Sequence, residues 1–232
     1  AIRNTNHLGA LAYYAEHVAN LGLTCIALTI SEALVHPYGG RKAMIGTNPI
    51  AIGVPADPTP MVLDMATGLV SMGKIHDHAN RGAPIPLGWA LDANGDPTTD
   101  AAAAKKGAIA PFGGPKGYAL GIAFEVLVAS LAASAIGTEV KGTLDSVNVS
   151  NKGDIFIVIA PHHAQAAKAL VTAYLDDIRA AAPADPAHPV LAPGDRAHKA
   201  RAQSLARGMY IDDGLWADLK ALDAESRKES RS

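Results

Sequence analysis

Residues 8–30 read LGALAYYAEHVANLGLTCIALTI, and the fold class turns on this stretch. Ala10, Leu11, Tyr14, Val18 and Leu21 recur at helical spacing, which predicts a helix over 8–21. Gly22 supplies a stop. Leu23–Ile30 is a short apolar, β-branched run and reads as a buried strand. Outward from here the alternation continues. Strands are expected at Ile50–Val54, Met61–Leu63 and Asp154–Ala160. Helices are expected over 67–80, 117–137 and 164–181, with two short ones ending the chain. Asn94-Gly95 marks a hairpin turn. The pattern predicts an α/β fold, a layered mixed sheet with flanking helices. The Pro-rich residues 183–193 are the best linker candidate, but their flanks are short, so residues 1–232 read as a single domain.

Composition narrows the partners. Lys and Arg number 20 against 22 Asp and Glu, a net charge of −2, which gives no basic surface for nucleic acid. Hydrophobic residues at 49% exclude a disordered chain. A single cysteine, Cys25, excludes an internal disulfide framework and points to a reducing, cytoplasmic compartment. The polar opening RNTNH does not read as a signal peptide. GYALGIAFEVLVASLAASAIG (117–137) is long enough to span a bilayer, but Glu125 stands near its centre and no basic cluster or aromatic belt flanks it. It is read as the core helix of a protein without a membrane span.

The chain carries no G-x-G-x-x-G after a strand and no G-x-x-x-x-G-K-[ST], so a standard dinucleotide fold or P-loop is not supported. No metal site is read. Asp92-Asn94-Asp96 lacks the glycine of a calcium loop, where Pro97 stands instead, and His76 and His78 face apart on a helix. Three positions carry chemistry. His7 stands at a loop-to-helix junction, where an imidazole can be held for proton transfer or simply enter a helix capped by Asn6. Asp64 closes a strand and opens a helix, suited either to capping or to accepting from ribose hydroxyls. Lys116 lies in PFGGPKG, where glycines let backbone approach a ligand and a lysine can pair with phosphate, or where the chain merely turns tightly.

Taken together, RNTNHLGALAYYA, HPYGGRKAMIGTNPIAIGVP, VLDMATG, GWALDANGDPTTD, PFGGPKGYALG and PGDRAHKAR resemble, in order, the malate/L-lactate dehydrogenase family. Its fold is unrelated to that of the better-known lactate dehydrogenases. The resemblance implies a non-Rossmann nicotinamide-binding fold and an oxidoreductase using NAD or NADP. By position, His7 matches the proton-transferring histidine and Ser31 a cofactor-contacting serine. Asp64, Met65 and Ala66 match the cofactor-binding D-M-A segment, and Lys116 the lysine of the glycine-rich loop. Gly194 and Asp195 match a late P-G-E segment, with Asp for Glu. Lys74 is a weaker candidate for holding substrate carboxylate or polarising oxygen. Imine-reducing members place an acid at that position.

The reaction implied is hydride transfer between a small 2-hydroxy acid, of the malate, lactate, sulfolactate or ureidoglycolate type, and its 2-oxo acid. The alternatives are reduction of 2-oxo acids or cyclic imines, and an inactive binding remnant. Family members carry about a hundred residues ahead of the His7 segment, so the chain is expected to be incomplete at its N-terminus. The expected assembly is a homodimer.

Overall fold

A computed structural model of the chain describes residues 1–145, 147–211 and 213–229. The opening unit is a helix, α1 (Leu11–Asn20), followed through Gly22 by strand β2 (Thr24–Thr29); the short β1 (Ile2–Arg3) precedes both. β3 (Ile50–Val54) and β4 (Met61–Met65) form a hairpin with Ile52 opposite Leu63. α2 (Met72–Asn80), β5 (Ala90–Leu91), β6 (Pro97–Thr98), α3 (Ala101–Ala104) and β7 (Ala108–Ile109) follow. α4 (Pro115–Ala132), β8 (Gly153–Ile159) and α5 (Ala164–Ala180) come next, then α6 (Asp195–Arg207) and α7 (Asp213–Glu229).

The main sheet runs β1-β8-β2-β3-β4, and every pairing in it is antiparallel. The second sheet, β6-β5-β7, is antiparallel too; the parallel contact among the described residues is the isolated bridge Val35–Ile109. The α/β reading and the flanking helices hold, with both sheets built from antiparallel neighbours.

Side-chain alternation along β2 explains the layers. Cys25 and Ala27 face α1, packing with Leu11, Ala15, Ala51 and Val62. Leu28 and Ile30 face the other way, onto Val128 of α4, Val140 and Ile155. Small residues set the α1 spacing. A Cβ on Gly53 would lie 2.2 Å from the Ala15 carbonyl oxygen, so only glycine lets the helix seat this closely. A second core, including Val35, Ile75, Ile85 and Ile109, lies between the small sheet and α2 and α3. The Asn94-Gly95 turn joins β5 to β6 as expected. There Asp92 Oδ1 accepts the Asn94 and Asp96 N–H groups, and Arg41 binds Asp96, so these acids serve the turn.

Helix α4 is long and apolar enough to cross a membrane, yet its central carboxylate points into the protein. Glu125 is 2% exposed and accepts from Gly46 N–H (3.1 Å), Asn48 Nδ2 (2.6 Å) and Gly137 N–H (2.6 Å).

The chain divides into two compact units, Ala1–Gly194 and Asp195–Ser232. The division falls at the end of the Pro-rich stretch. The second unit contains α6 and α7.

Candidate active site

His7 comes after β1, in the loop that leads to α1. Its Nδ1 accepts the Gly9 N–H at 2.9 Å, which in the neutral ring leaves the proton on Nε2. Ser31 comes just past β2. Its hydroxyl donates to Glu32 O (3.1 Å), lies 3.2 Å from Thr47 Oγ1 and accepts Thr47 N–H at 3.0 Å. These two residues, more than twenty positions apart in sequence, line one cavity of about 140 Å³ with Thr29, Thr47, Thr143 and Lys152. Glu32 holds the Thr143–Leu144 wall, since its Oε1 accepts both of their N–H groups at 2.8 and 2.9 Å.

Asp64, Met65 and Ala66 do not line this cavity; the residue that follows them, Thr67, ties the segment to Thr47. Thr67 is buried, and both its N–H (2.8 Å) and its hydroxyl (3.0 Å) donate to Thr47 O. Thr67 O in turn accepts Phe112 N–H at 3.1 Å, which brings the glycine-rich loop alongside. Ser31, Thr47, Thr67 and Phe112 thus form a continuous hydrogen-bonded track. Asp64 stands opposite Ala51 in β4, and Met65, which ends the strand, pairs with Ile50. Asp64 Oδ2 accepts Ala12 N–H at 2.8 Å, capping α1 rather than the helix that follows Asp64 in sequence. Desolvation raises the Asp64 carboxyl pKa, and the Ala12 N–H opposes the rise. Among the described residues its Oδ1 accepts no hydrogen bond. Gly113 and Gly114, at φ +58° and +61°, deliver the chain into α4 with Pro115 at its first position and Lys116 exposed at its second.

Other expected residues lie apart. Lys74, on α2, holds its ammonium 5.0 Å over the Trp89 ring and does not line the His7 cavity. Gly194 takes φ +100°, and the preceding Pro193 O accepts Val62 N–H on β4 at 3.3 Å. Asp195 begins α6 in the second unit. Cys25 is buried, and burial pushes its thiol pKa up, away from reactivity.

Sequence reasoning missed Lys152 and Asp154. Their side chains are 3% and 0% exposed and ion-paired. Lys152 Nζ also donates to Thr5 Oγ1 (3.0 Å) and Thr29 Oγ1 (3.1 Å), and Thr5 Oγ1 donates to Asp154 Oδ2. Burial lowers the Lys152 pKa, while its bond to Asp154 and the charge there pull it back up. The signal was two charges spaced i, i+2 at the head of the apolar run DIFIVIA, which places both on one face.

The chain is similar in sequence and fold to several known proteins. An L-sulfolactate dehydrogenase of Methanocaldococcus jannaschii is 39% identical over 225 residues, 96% of this chain and 64% of that protein. A Δ1-pyrroline-2-carboxylate/Δ1-piperideine-2-carboxylate reductase of Pseudomonas aeruginosa is 37% identical, over 96% of this chain and 66% of its own length. Among solved structures, a dehydrogenase from Sinorhizobium meliloti superposes with a TM-score of 0.89 at 53% identity, covering 95% of this chain and 65% of that one. The chain therefore spans about two thirds of the length of such relatives. The malate/L-lactate dehydrogenase profile matches residues 1–220, and the chain belongs to that family.

Proposed function

We propose that the chain is the larger part of an NAD- or NADP-dependent oxidoreductase that interconverts a small 2-hydroxy acid and its 2-oxo acid. The observation that carries this reading is the cavity shared by His7 and Ser31. The donor set suits a nicotinamide dinucleotide. Hydroxyls of Ser31 and Thr47 lie at one end of the track, and the free Asp64 oxygen can accept from a ribose hydroxyl. Lys116 and the N-terminal end of α4 suit phosphate. The bound nicotinamide supplies or accepts the hydride. Gly194 and Asp195 are assigned to the cofactor on family position alone.

His7 moves the proton. In reduction it donates from Nε2 to the developing alkoxide oxygen, and in oxidation it takes the hydroxyl proton back. The imidazolium that precedes reduction carries a proton on Nδ1 as well. The Gly9 N–H must therefore leave the ring whenever His7 is charged. The buried Cys25 is in keeping with a reducing, cytoplasmic setting. Reduction of a cyclic imine carboxylate is the second reading, favoured by the similarity to the Pseudomonas aeruginosa reductase; Lys74, a cation where imine-reducing members place an acid, weighs against it.

The test is a screen of 2-hydroxy acids, 2-oxo acids and cyclic imine carboxylates with NAD and NADP. With the best pair, His7→Ala is expected to lower turnover by about 10²-fold or more. Binding of the reduced cofactor, followed by its fluorescence, should change little. Turnover within a few-fold of the parent would remove His7 from the chemistry. Cofactor binding without turnover of any substrate would favour a binding remnant.

A further inference from the structure

The Lys152–Asp154 pair is buried, with Lys152 in the lining of the cavity that His7 and Ser31 share. All three ammonium protons of Lys152 are committed, to Asp154, to Thr5 Oγ1 and to Thr29 Oγ1. Taking two charges out of water costs several kcal/mol per ion, and a well-packed apolar pair is often as stable. A fixed geometry is the other use of such a pair.

That geometry leads to the catalytic pocket. The chain from β1 onward is zipped to the start of β8. Ile2 pairs with Asp154 and Arg3 with Gly153, Asn4 N–H donates to Lys152 O (2.9 Å), and Ser150 Oγ donates to Thr5 O (2.6 Å). The Thr5 side chain closes the zip by accepting from Lys152 and donating to Asp154. Two residues on, the His7 ring accepts, among the described residues, a single and local hydrogen bond, from Gly9 N–H. The ring therefore inherits its place from Thr5. Lys152 also holds Thr29, which stands two residues before Ser31 and lines the same cavity. One ammonium thus ties together the segments that carry His7 and Ser31.

We propose that Lys152 and Asp154 are positioning residues, which fix Thr5 and Thr29 and thereby hold His7 at its working distance from Ser31. This rests on the reading of His7 as the proton-transferring group, and it assigns neither Lys152 nor Asp154 to the substrate. A displacement of about 1 Å at a reacting group can cost about 10²-fold in rate.

The variants Thr5→Val and Thr5→Ser test it in the full chain. Valine keeps the shape and removes the hydroxyl, and serine keeps the hydroxyl. With ¹⁵N-labelled histidine, the His7 ring signals, assigned by their loss in His7→Ala, report ring environment and tautomer without any substrate. The expected result is that Thr5→Val moves the His7 signals and lowers kcat about 10- to 100-fold, with KM and the cofactor Kd within about threefold. Thr5→Ser should restore both readouts. The double variant Lys152→Met/Asp154→Leu, which removes both charges and strands neither, should reproduce Thr5→Val. His7 signals that stay in place in Thr5→Val and in the folded double variant overturn the proposal, whatever the turnover. Signals that move while His7→Ala keeps full activity would uphold the positioning and remove only the catalytic reading on which it rests.

Discussion

Asp64 divides its carboxylate between two tasks. Oδ2 holds the first turn of α1 through Ala12 N–H, and the proposed ribose contact falls to Oδ1. Desolvation raises its pKa above the ordinary value, so the folded chain holds this proton more tightly than the unfolded chain does. Where the folded state binds more protons, stability falls as pH rises. The Asp64 contribution is therefore present below about pH 3.9, the ordinary Asp value, and is lost as pH climbs through the raised folded value. Asp64→Asn, which keeps an acceptor for Ala12 N–H, should flatten this part of the profile. Urea midpoints of parent and variant between pH 3 and pH 6 decide it, and parallel profiles would contradict the assigned shift. Lys116 is proposed to face phosphate. A charge-assisted hydrogen bond contributes about 1.5–3 kcal/mol, so Lys116→Ala should weaken NADH and NADPH binding about 10- to 100-fold. An unchanged Kd for both would remove Lys116 from the cofactor site. His7 and Asp64 stand out in the sequence because each lies in a contiguous motif, whereas Ser31 is marked only by its place after the first strand. Lys152 and Asp154 do not stand out, because their meaning comes from Thr5, nearly 150 positions away, and short-range pattern carries no trace of that contact.

At the scale of elements, the apolar period placed the main strands and helices and misjudged some ends. The helix expected over 67–80 begins only at Met72. Thr67 cannot join it, because its N–H and hydroxyl are both committed to Thr47 O; Ser71 caps the helix instead, accepting Lys74 N–H at 3.2 Å. The helix expected over 117–137 runs from Pro115 to Ala132 and ends at Ala133 with φ +50°. Beyond that, Gly137 turns back so that its N–H reaches Glu125. That carboxylate is the tertiary contact that overrode the period. It gathers Gly46, Asn48 and Gly137 into the core beside the Thr47 segment of the pocket. A buried donor left without its acceptor costs about 1–3 kcal/mol. Glu125→Ala strands the three together, and we expect it to lower the unfolding free energy by at least about 3 kcal/mol. Glu125→Gln, which keeps one amide oxygen as acceptor, should lose less. Urea titration checks the order, and an unaltered midpoint for Glu125→Ala would show that these loops do not depend on the carboxylate.

For the whole molecule, the outer face of α4 sets the expectation. Leu120, Val126, Leu127 and Leu131 are each more than a third exposed, and Ala119, Ala123 and Ser130 lie between them. This face of the helix is apolar along its length apart from Ser130 and Lys116. Contiguous apolar surface of this kind marks an interaction site more often than a free surface. Small residues between the leucines let a second helix approach closely. A copy of the same face is the partner we expect, because a two-fold pair closes on itself and buries both faces at once. Light scattering at micromolar concentration should therefore give about twice the 23.8 kDa of one chain. Leu127→Glu would place a charge in the middle of each face and should return the mass to that of one chain with the helix content unchanged. A parent that scatters as one chain, or a Leu127→Glu variant that stays paired, would show that this face is not where two copies meet.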